Sequence, residues 1–163
     1  MGNQVIQTAR FGDIEVAEDR LIEFVEPILG FEESRRFVIL DHAEDSPFKW
    51  LQSADEPDLA FVVTNPRLFG IDYEFEVPDE TVNKLAIANA EDVIVLTIVN
   101  IPQGSPENMT ANLLGPVVIS HGSRKAMQIV LNDTGFSTKT RLLPEADGQE
   151  ESGNVSSAGR QGE

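Results

Sequence analysis

Short apolar runs rich in Val, Ile, Phe and Thr recur along this chain between polar, turn-forming residues, at 5–9, 14–16, 21–25, 37–40, 50–53, 60–64, 73–77, 93–101, 117–120 and 127–131. Segments of that length read as strands, and their close spacing favours an antiparallel sandwich or barrel. The punctuation agrees: Gly12-Asp13, Ser46-Pro47, Asn65-Pro66, Val77-Pro78, Ile101-Pro102 and Ser105-Pro106 each disfavour a continuing helix. Phe11-Gly-Asp-Ile14 suits a tight hairpin, and the pairs Phe61/Val63 and Phe75/Val77 keep the period of two expected of half-buried strands. Two places read as helical instead. Residues 79–86 follow Pro78 with Asp79 as a capping aspartate, acids in the first turn, and Val82, Leu85 and Ala86 along one face. Residues 31–36 suit one short turn after Gly30. No internal repeat is visible, which argues against a solenoid.

The segment Thr110-Ala-Asn-Leu-Leu-Gly-Pro-Val-Val-Ile119 stands out from these runs. It holds no nucleophile, base or metal ligand. Asn112 lies inside its apolar stretch, where an unpaired amide would cost on the order of 1–3 kcal/mol, so this side chain either fixes neighbouring backbone or faces a partner. Gly115-Pro116 then breaks the run, because proline has no N–H to give a ladder.

Composition sharpens the picture. With 163 residues and 40% hydrophobic content, the chain can form one core and bury roughly two-thirds of its unfolded surface. From Pro144 to the end, only Val155 is apolar and larger than alanine, so 144–163 reads as a disordered acidic tail behind a single domain of residues 1–143. The start shows no basic and apolar leader, and no run reaches the roughly 20 residues that span a bilayer, so a soluble cytoplasmic protein is expected, with no membrane partner. The absence of cysteine rules out disulfides, thiolate catalysis and iron–sulfur clusters.

The net charge of −16 opposes direct binding to nucleic acid. That charge is uneven: residues 41–92 hold thirteen acidic and three basic side chains, whereas 101–141 hold two acidic and four basic ones. Asp41, Glu44, Asp45, Asp55, Glu56 and Asp58 are the candidate acidic surface, suited to attracting a basic partner.

Chemistry is sparse. His121 follows Ser120, but neighbours on a strand point to opposite faces and cannot readily share a proton. Asp41-His-Ala-Glu-Asp45 lacks the alternation and glycine of a calcium loop, and no phosphate-cradling glycine loop is present. No enzyme, cofactor or metal site is expected. A binding surface is the remaining reading, with Trp50, Gln52, Phe69, Tyr73 and Asn112 as its candidates.

Read in order with Phe11-Gly12, Pro47-Phe-Lys-Trp-Leu-Gln-Ser53, Leu59-Ala-Phe-Val-Val63, Asp72-Tyr-Glu74 and Gln128-Ile-Val-Leu-Asn-Asp133, the 110–119 segment closely resembles the flagellar assembly factor FliW family, from about Thr8 to Leu143. Val25-Glu-Pro-Ile-Leu-Gly30 departs from the proline–glycine-rich approach more usual there, and the acidic tail runs past the usual end. The resemblance implies a small, mostly β, antiparallel barrel-like domain with one or two short helices, monomeric when free, that binds proteins without catalysis. Its implied partners are cytoplasmic flagellin, met by a surface of seven candidates, Trp50, Gln52, Phe69, Tyr73, Asn112, Leu113 and Leu114, and the RNA-binding translational regulator CsrA, held exclusively, so that flagellin level controls flagellin translation. An alternative that leaves flagellin out is an acidic nucleic-acid mimic that inhibits a basic DNA- or RNA-binding protein.

Overall fold

The computed structural model describes residues 2–41, 43–132 and 134–144, so His42, Asp133 and the 145–163 part of the expected tail lie outside the described residues. The strands are β1 (Asn3–Thr8), β2 (Gly12–Ala17), β3 (Ile22–Phe24), β4 (Arg36–Asp41), β5 (Phe48–Ser53), β6 (Ala60–Thr64), β7 (Val93–Asn100), β8 (Thr110–Ala111), β9 (Val117–Ser120), β10 (Lys125–Gln128) and β11 (Thr140–Arg141), with one α-helix, α1 (Asp79–Lys84). Strands β7-β6-β5-β4-β3-β10-β9 form a continuous ladder, and pairing of β7 with β9 closes it into a barrel. Closure removes the two exposed edges that an open sheet would leave.

Alternation fills the barrel. Phe37, Leu51, Val63, Leu96, Val117, Ile119 and Ala126 point inward and meet Ile22, Phe24 and Ile28 in one buried cluster. The opposite face of the same strands is covered as well, in two places. The β1–β2 hairpin lays Ile6 and Val16 over Val38, and residues 69–87 with 109–143 pack on Val99, Val118 and Met127. Four consecutive residues of β9 are consequently buried, a pattern that strands covered on both sides show.

The hairpin forms where Phe11-Gly12 places it. Gly12 has φ 71°, the Phe11 N–H donates to Thr8 Oγ1 at 2.8 Å, and that hydroxyl donates to the Gly12 carbonyl at 2.7 Å.

Four features depart from sequence expectation. Strands β3 and β10 pair in parallel, the one non-antiparallel step among the described pairings of the barrel. A parallel pair needs a long connection, and the chain from β3 to β10 crosses most of the domain. Residues 73–77 form no ladder, although their exposure still alternates, with Tyr73 buried and Asp72, Glu74 and Glu76 exposed. The two-residue strands β8 and β11, which pair with each other, are too short to leave a periodic signal. In α1 the cap position belongs to Pro78, no side chain caps the helix, and the buried side chains are Thr81 and Leu85, while Ala86 is exposed with φ 53°.

One acid, Asp55, fastens the start of β4. Asp55 Oδ2 accepts the N–H groups of Arg35 at 2.8 Å and Arg36 at 3.0 Å, and its Oδ1 pairs with the Arg36 guanidinium at 3.2 Å. Burial opposes ionisation of Asp55, but these donors outweigh it and hold the carboxyl below its ordinary value of 3.8. A carboxyl lowered on folding contributes stability that is present above its unfolded value and lost as pH falls through the folded one. Asp55→Asn is therefore expected to cost roughly 1 kcal/mol at pH 7 and progressively less below about pH 4, measured as urea midpoints against pH. A deficit of constant size across that range would assign the effect to side-chain geometry rather than charge.

Candidate functional site

The 110–119 segment is held by side-chain amides. Asn112 Oδ1 accepts the Gly115 N–H at 2.9 Å, closing a turn that aims Pro116 at the start of β9. The Gly115 carbonyl accepts from Gln128 Nε2 at 3.0 Å, and Gln128 Oε1 accepts the Leu29 N–H at 3.2 Å. A Cβ on residue 115 would lie 3.1 Å from Gln128 Nε2 and 3.2 Å from Asn112 Nδ2, so glycine is what lets both amides close on this backbone. From inside, the Tyr73 hydroxyl donates to the Leu113 carbonyl at 2.6 Å. Burial pushes the Tyr73 phenol well above its ordinary value, which keeps it protonated and able to donate. The fixing of neighbouring backbone expected of Asn112 is thus present, linking the β3–β4 loop, β10 and the crossover into β9.

The seven candidate binding residues do not share one exposed surface. Gln52, Tyr73 and Leu113 are buried, at 0%, 3% and 2% exposure, which corrects the expectation for these three. The physical reason is local. Gln52 Nε2 donates to the carbonyls of Ser53, Pro57 and Leu59, fastening the loop after β5, while Tyr73 and Leu113 fill the outer cluster. Trp50 is half-buried, with Arg10 stacked at 4.2 Å from its ring and Phe11 edge-on at 6.1 Å, so it serves the seam between hairpin and barrel. Phe69 rests on Phe48 at 5.6 Å. Asn112 and Leu114 are half-buried beside the turn.

Exposed apolar side chains that the sequence reading passed over border the same amide network. Leu29 is 70% exposed and Val130 50% exposed. Val130 lies two residues beyond Gln128, opposite the buried Ile129 and Leu131. The alternation Gln128/Val130 against Ile129/Leu131 was visible in the sequence, but nothing in it told which side the rest of the chain would cover.

The acidic candidates also divide. Asp41, Glu44, Asp45 and Asp58 are exposed, with Asp41 paired to Lys49 at 2.8 Å. The Lys49 hydrogen bond and charge hold the Asp41 carboxyl below its ordinary value. Asp55 and Glu56 are not free surface: Asp55 fastens the start of β4, and Glu56 accepts the Ser34 hydroxyl. The strongest exposed run of acids is elsewhere, at Asp72, Glu74, Glu76, Asp79 and Glu80, projecting between the inward Tyr73, Phe75 and Val77. Two of these have basic neighbours, Glu74 with Arg67 at 3.8 Å and Glu80 with Lys84 at 2.9 Å. Ser120, the last residue of β9, is buried, and His121, the first residue of the following turn, is exposed.

The family model for the FliW protein matches residues 4–142. This chain belongs to the FliW family. Among its relatives, a flagellar assembly factor FliW of Magnetococcus marinus is 45% identical over 141 residues, covering 86% of each chain. One from Alkaliphilus metalliredigens is 37% identical over 97% of this chain and 98% of its own. A crystal structure of the flagellar assembly factor FliW superposes with a TM-score of 0.81 at 35% identity, covering 88% of this chain and all of that one. The mostly β barrel expected from the sequence is therefore both the fold of this protein and that of a solved relative, and the chain is a flagellar assembly factor by family. Among the described residues no helix is long and apolar enough to cross a membrane.

Proposed function

We propose that this protein binds newly made flagellin and, when flagellin is scarce, binds the translational regulator CsrA instead, so that flagellin level sets flagellin translation. The observation that supports this reading is the presence of two chemically different surfaces on one small barrel. Leu29 and Val130 border the Asn112–Gly115–Gln128 turn and offer apolar contact to a helical partner with an apolar stripe. The exposed acids of residues 72–80 offer the opposite chemistry, a field that steers a basic RNA-binding protein toward the molecule and disfavours RNA phosphates nearby. The protein acts by binding in this reading, with no catalytic step.

Calorimetric titration with monomeric flagellin, and then of the preformed complex with CsrA, tests the switch. Tight flagellin binding that blocks CsrA is the expected result. Leu29→Asp and Val130→Asp should weaken flagellin binding while leaving thermal stability within about 0.5 kcal/mol, because both side chains are exposed. Glu74→Gln with Glu76→Gln should slow CsrA association and flatten its dependence on salt. Heat with CsrA but none with flagellin would favour the acidic inhibitor of a basic nucleic-acid-binding protein. Silence with both would place the function of this barrel elsewhere.

A further inference from the structure

A cleft of about 560 Å³ opens where the β1–β2 hairpin meets the barrel, away from the amide network of residues 112–128. Its lining includes Arg20, Lys49, His121 and Arg124, with the half-buried Leu40 beside Val16 and Val38, which the hairpin buries to 7% and 3% exposure. Two carboxylates line it too, Glu15 and Asp41, and Asp41 is occupied by Lys49. In a chain of net charge −16, a local excess of cations is a departure that calls for a reason. Screening makes such a departure effective, since at physiological salt charges beyond about 8 Å contribute little to a bound group.

Arg124 carries the argument further. Among the described residues its Nε–H is buried without an acceptor, and its Nη2 donates to the Arg20 carbonyl at 3.1 Å. An unmet buried donor costs on the order of 1–3 kcal/mol, more when it belongs to a charged group. Burial and then the neighbouring Arg20 charge both disfavour the Arg124 cation, and Asp19 offsets them only in part. The backbone adds a cost, because Arg124 has φ 61°, a region in which glycine alone is unstrained. An arginine held at a glycine-favouring position, next to another arginine and with one guanidinium hydrogen bond, to the Arg20 carbonyl, keeps terminal donors for an acceptor in the cleft that it lines.

We propose that this cleft binds a small organic anion, its phosphate or carboxylate against Arg124 and Arg20 and its apolar body against Leu40. The planar guanidinium fork suits an oxyanion, and the volume falls within the range of small-molecule sites. This inference stands apart from the partner surfaces and uses none of their residues.

The test is an amide-resolved NMR titration of the intact protein with phenyl phosphate, benzoate and inorganic phosphate. Phenyl phosphate or benzoate should produce saturable shifts centred on residues 20, 49, 121 and 124. The better of the two should bind roughly tenfold tighter than inorganic phosphate, because its ring leaves water. Arg20→Gln and Arg124→Gly should each weaken that binding roughly tenfold or more, the latter while relieving the backbone at φ 61°, so that lost binding cannot be ascribed to an unfolded chain. Lys139→Gln, an equal change of charge outside the cleft, should leave binding unchanged. Three results would each overturn the proposal: no localised saturable shift with either aromatic anion, equal affinity for inorganic phosphate, or wild-type affinity in both arginine variants.

Discussion

Phe37→Ala is expected to lower the folding free energy by about 3–5 kcal/mol and the melting temperature by roughly 6–20 °C. Phe37 is completely buried at the middle of the barrel interior, on β4 between Ile22 of β3 and Ser53 of β5. Its ring meets Phe24 edge-on at 5.0 Å and Phe61 at 6.2 Å. Truncation removes the transfer energy of a whole aromatic side chain and leaves a void whose walls are strands of a closed ladder. Such walls cannot collapse inward without breaking hydrogen bonds on both sides, which places the cost toward the upper end of the range. Leu68→Ala, at a side chain 64% exposed in a loop turn, is the matched control and should change stability by less than about 0.5 kcal/mol. Urea unfolding of the two variants in parallel measures both. A loss below about 1 kcal/mol for Phe37→Ala would mean that the barrel interior is not the cooperative core.

Tyr73→Phe should cost about 1–3 kcal/mol, a large effect for one oxygen atom. The ring contacts, to Phe136 at 4.8 Å and Phe75 at 5.2 Å, survive this change. What is lost is the hydroxyl that donates to the buried Leu113 carbonyl at 2.6 Å. No water can reach that carbonyl easily, so the desolvation penalty of an acceptor without a partner replaces the bond. The effect should also be local. Leu113 and Leu114 both donate their N–H groups to the Ser137 carbonyl, and hydrogen exchange at these two amides should speed up more than exchange in β4 or β5. Asn112→Ala, which frees the Gly115 N–H at the other side of the same turn, should show the same pattern at roughly 1 kcal/mol. Unchanged melting in Asn112→Ala together with lost flagellin binding would instead make that amide a direct contact. If Tyr73→Phe melts like the wild type, the hydroxyl does not tether the crossover.

The strand pattern was legible to the extent that neighbouring residues cause it. Eight of the ten apolar runs became strands, and a ninth, 127–131, did so only at Met127 and Gln128, because alternation and β-branched content are local properties, and the Phe11-Gly12 turn formed because glycine adopts a positive φ without strain. The run at 73–77 shows the limit. Its alternation is real, but a strand needs a neighbour to accept its hydrogen bonds, and that segment instead lies on the outer face of the barrel with its aromatics turned in. Asp79 failed as a cap for a similar reason, since the chain enters α1 through Pro78 and leaves the aspartate inside the first turn.

The candidate site was legible in kind and not in place. The amide Asn112 was readable as an oddity in an apolar run, because a buried unpaired amide is costly wherever it falls. Its neighbours in space, Gln128 and Leu29, were not, since they come from strands and loops far away in the chain. Alternation puts Gln52 on the same face of β5 as Trp50, which makes it read as a surface residue by sequence. Only the loop carried by Pro57 and Leu59, folding back over that face, makes it a buried tether.

What the residues dictate alone is therefore the all-β character, the hairpin, the turn glycine and the family signature, each resting on short-range periodicity, turn chemistry or motif order. Closure of β7 on β9, the parallel step between β3 and β10, and the cover on both faces of the barrel strands arise only when the whole chain packs. Charge follows the same division. The excess of acid belongs to the composition, but the engagement of Asp55 with Arg35 and Arg36, that of Glu56 with Ser34, and the gathering of Arg20, Lys49, His121 and Arg124 around one cleft depend on long-range register. A period of two says that a strand has two faces; which face meets water, and which charges meet each other, is decided by the strands laid beside it.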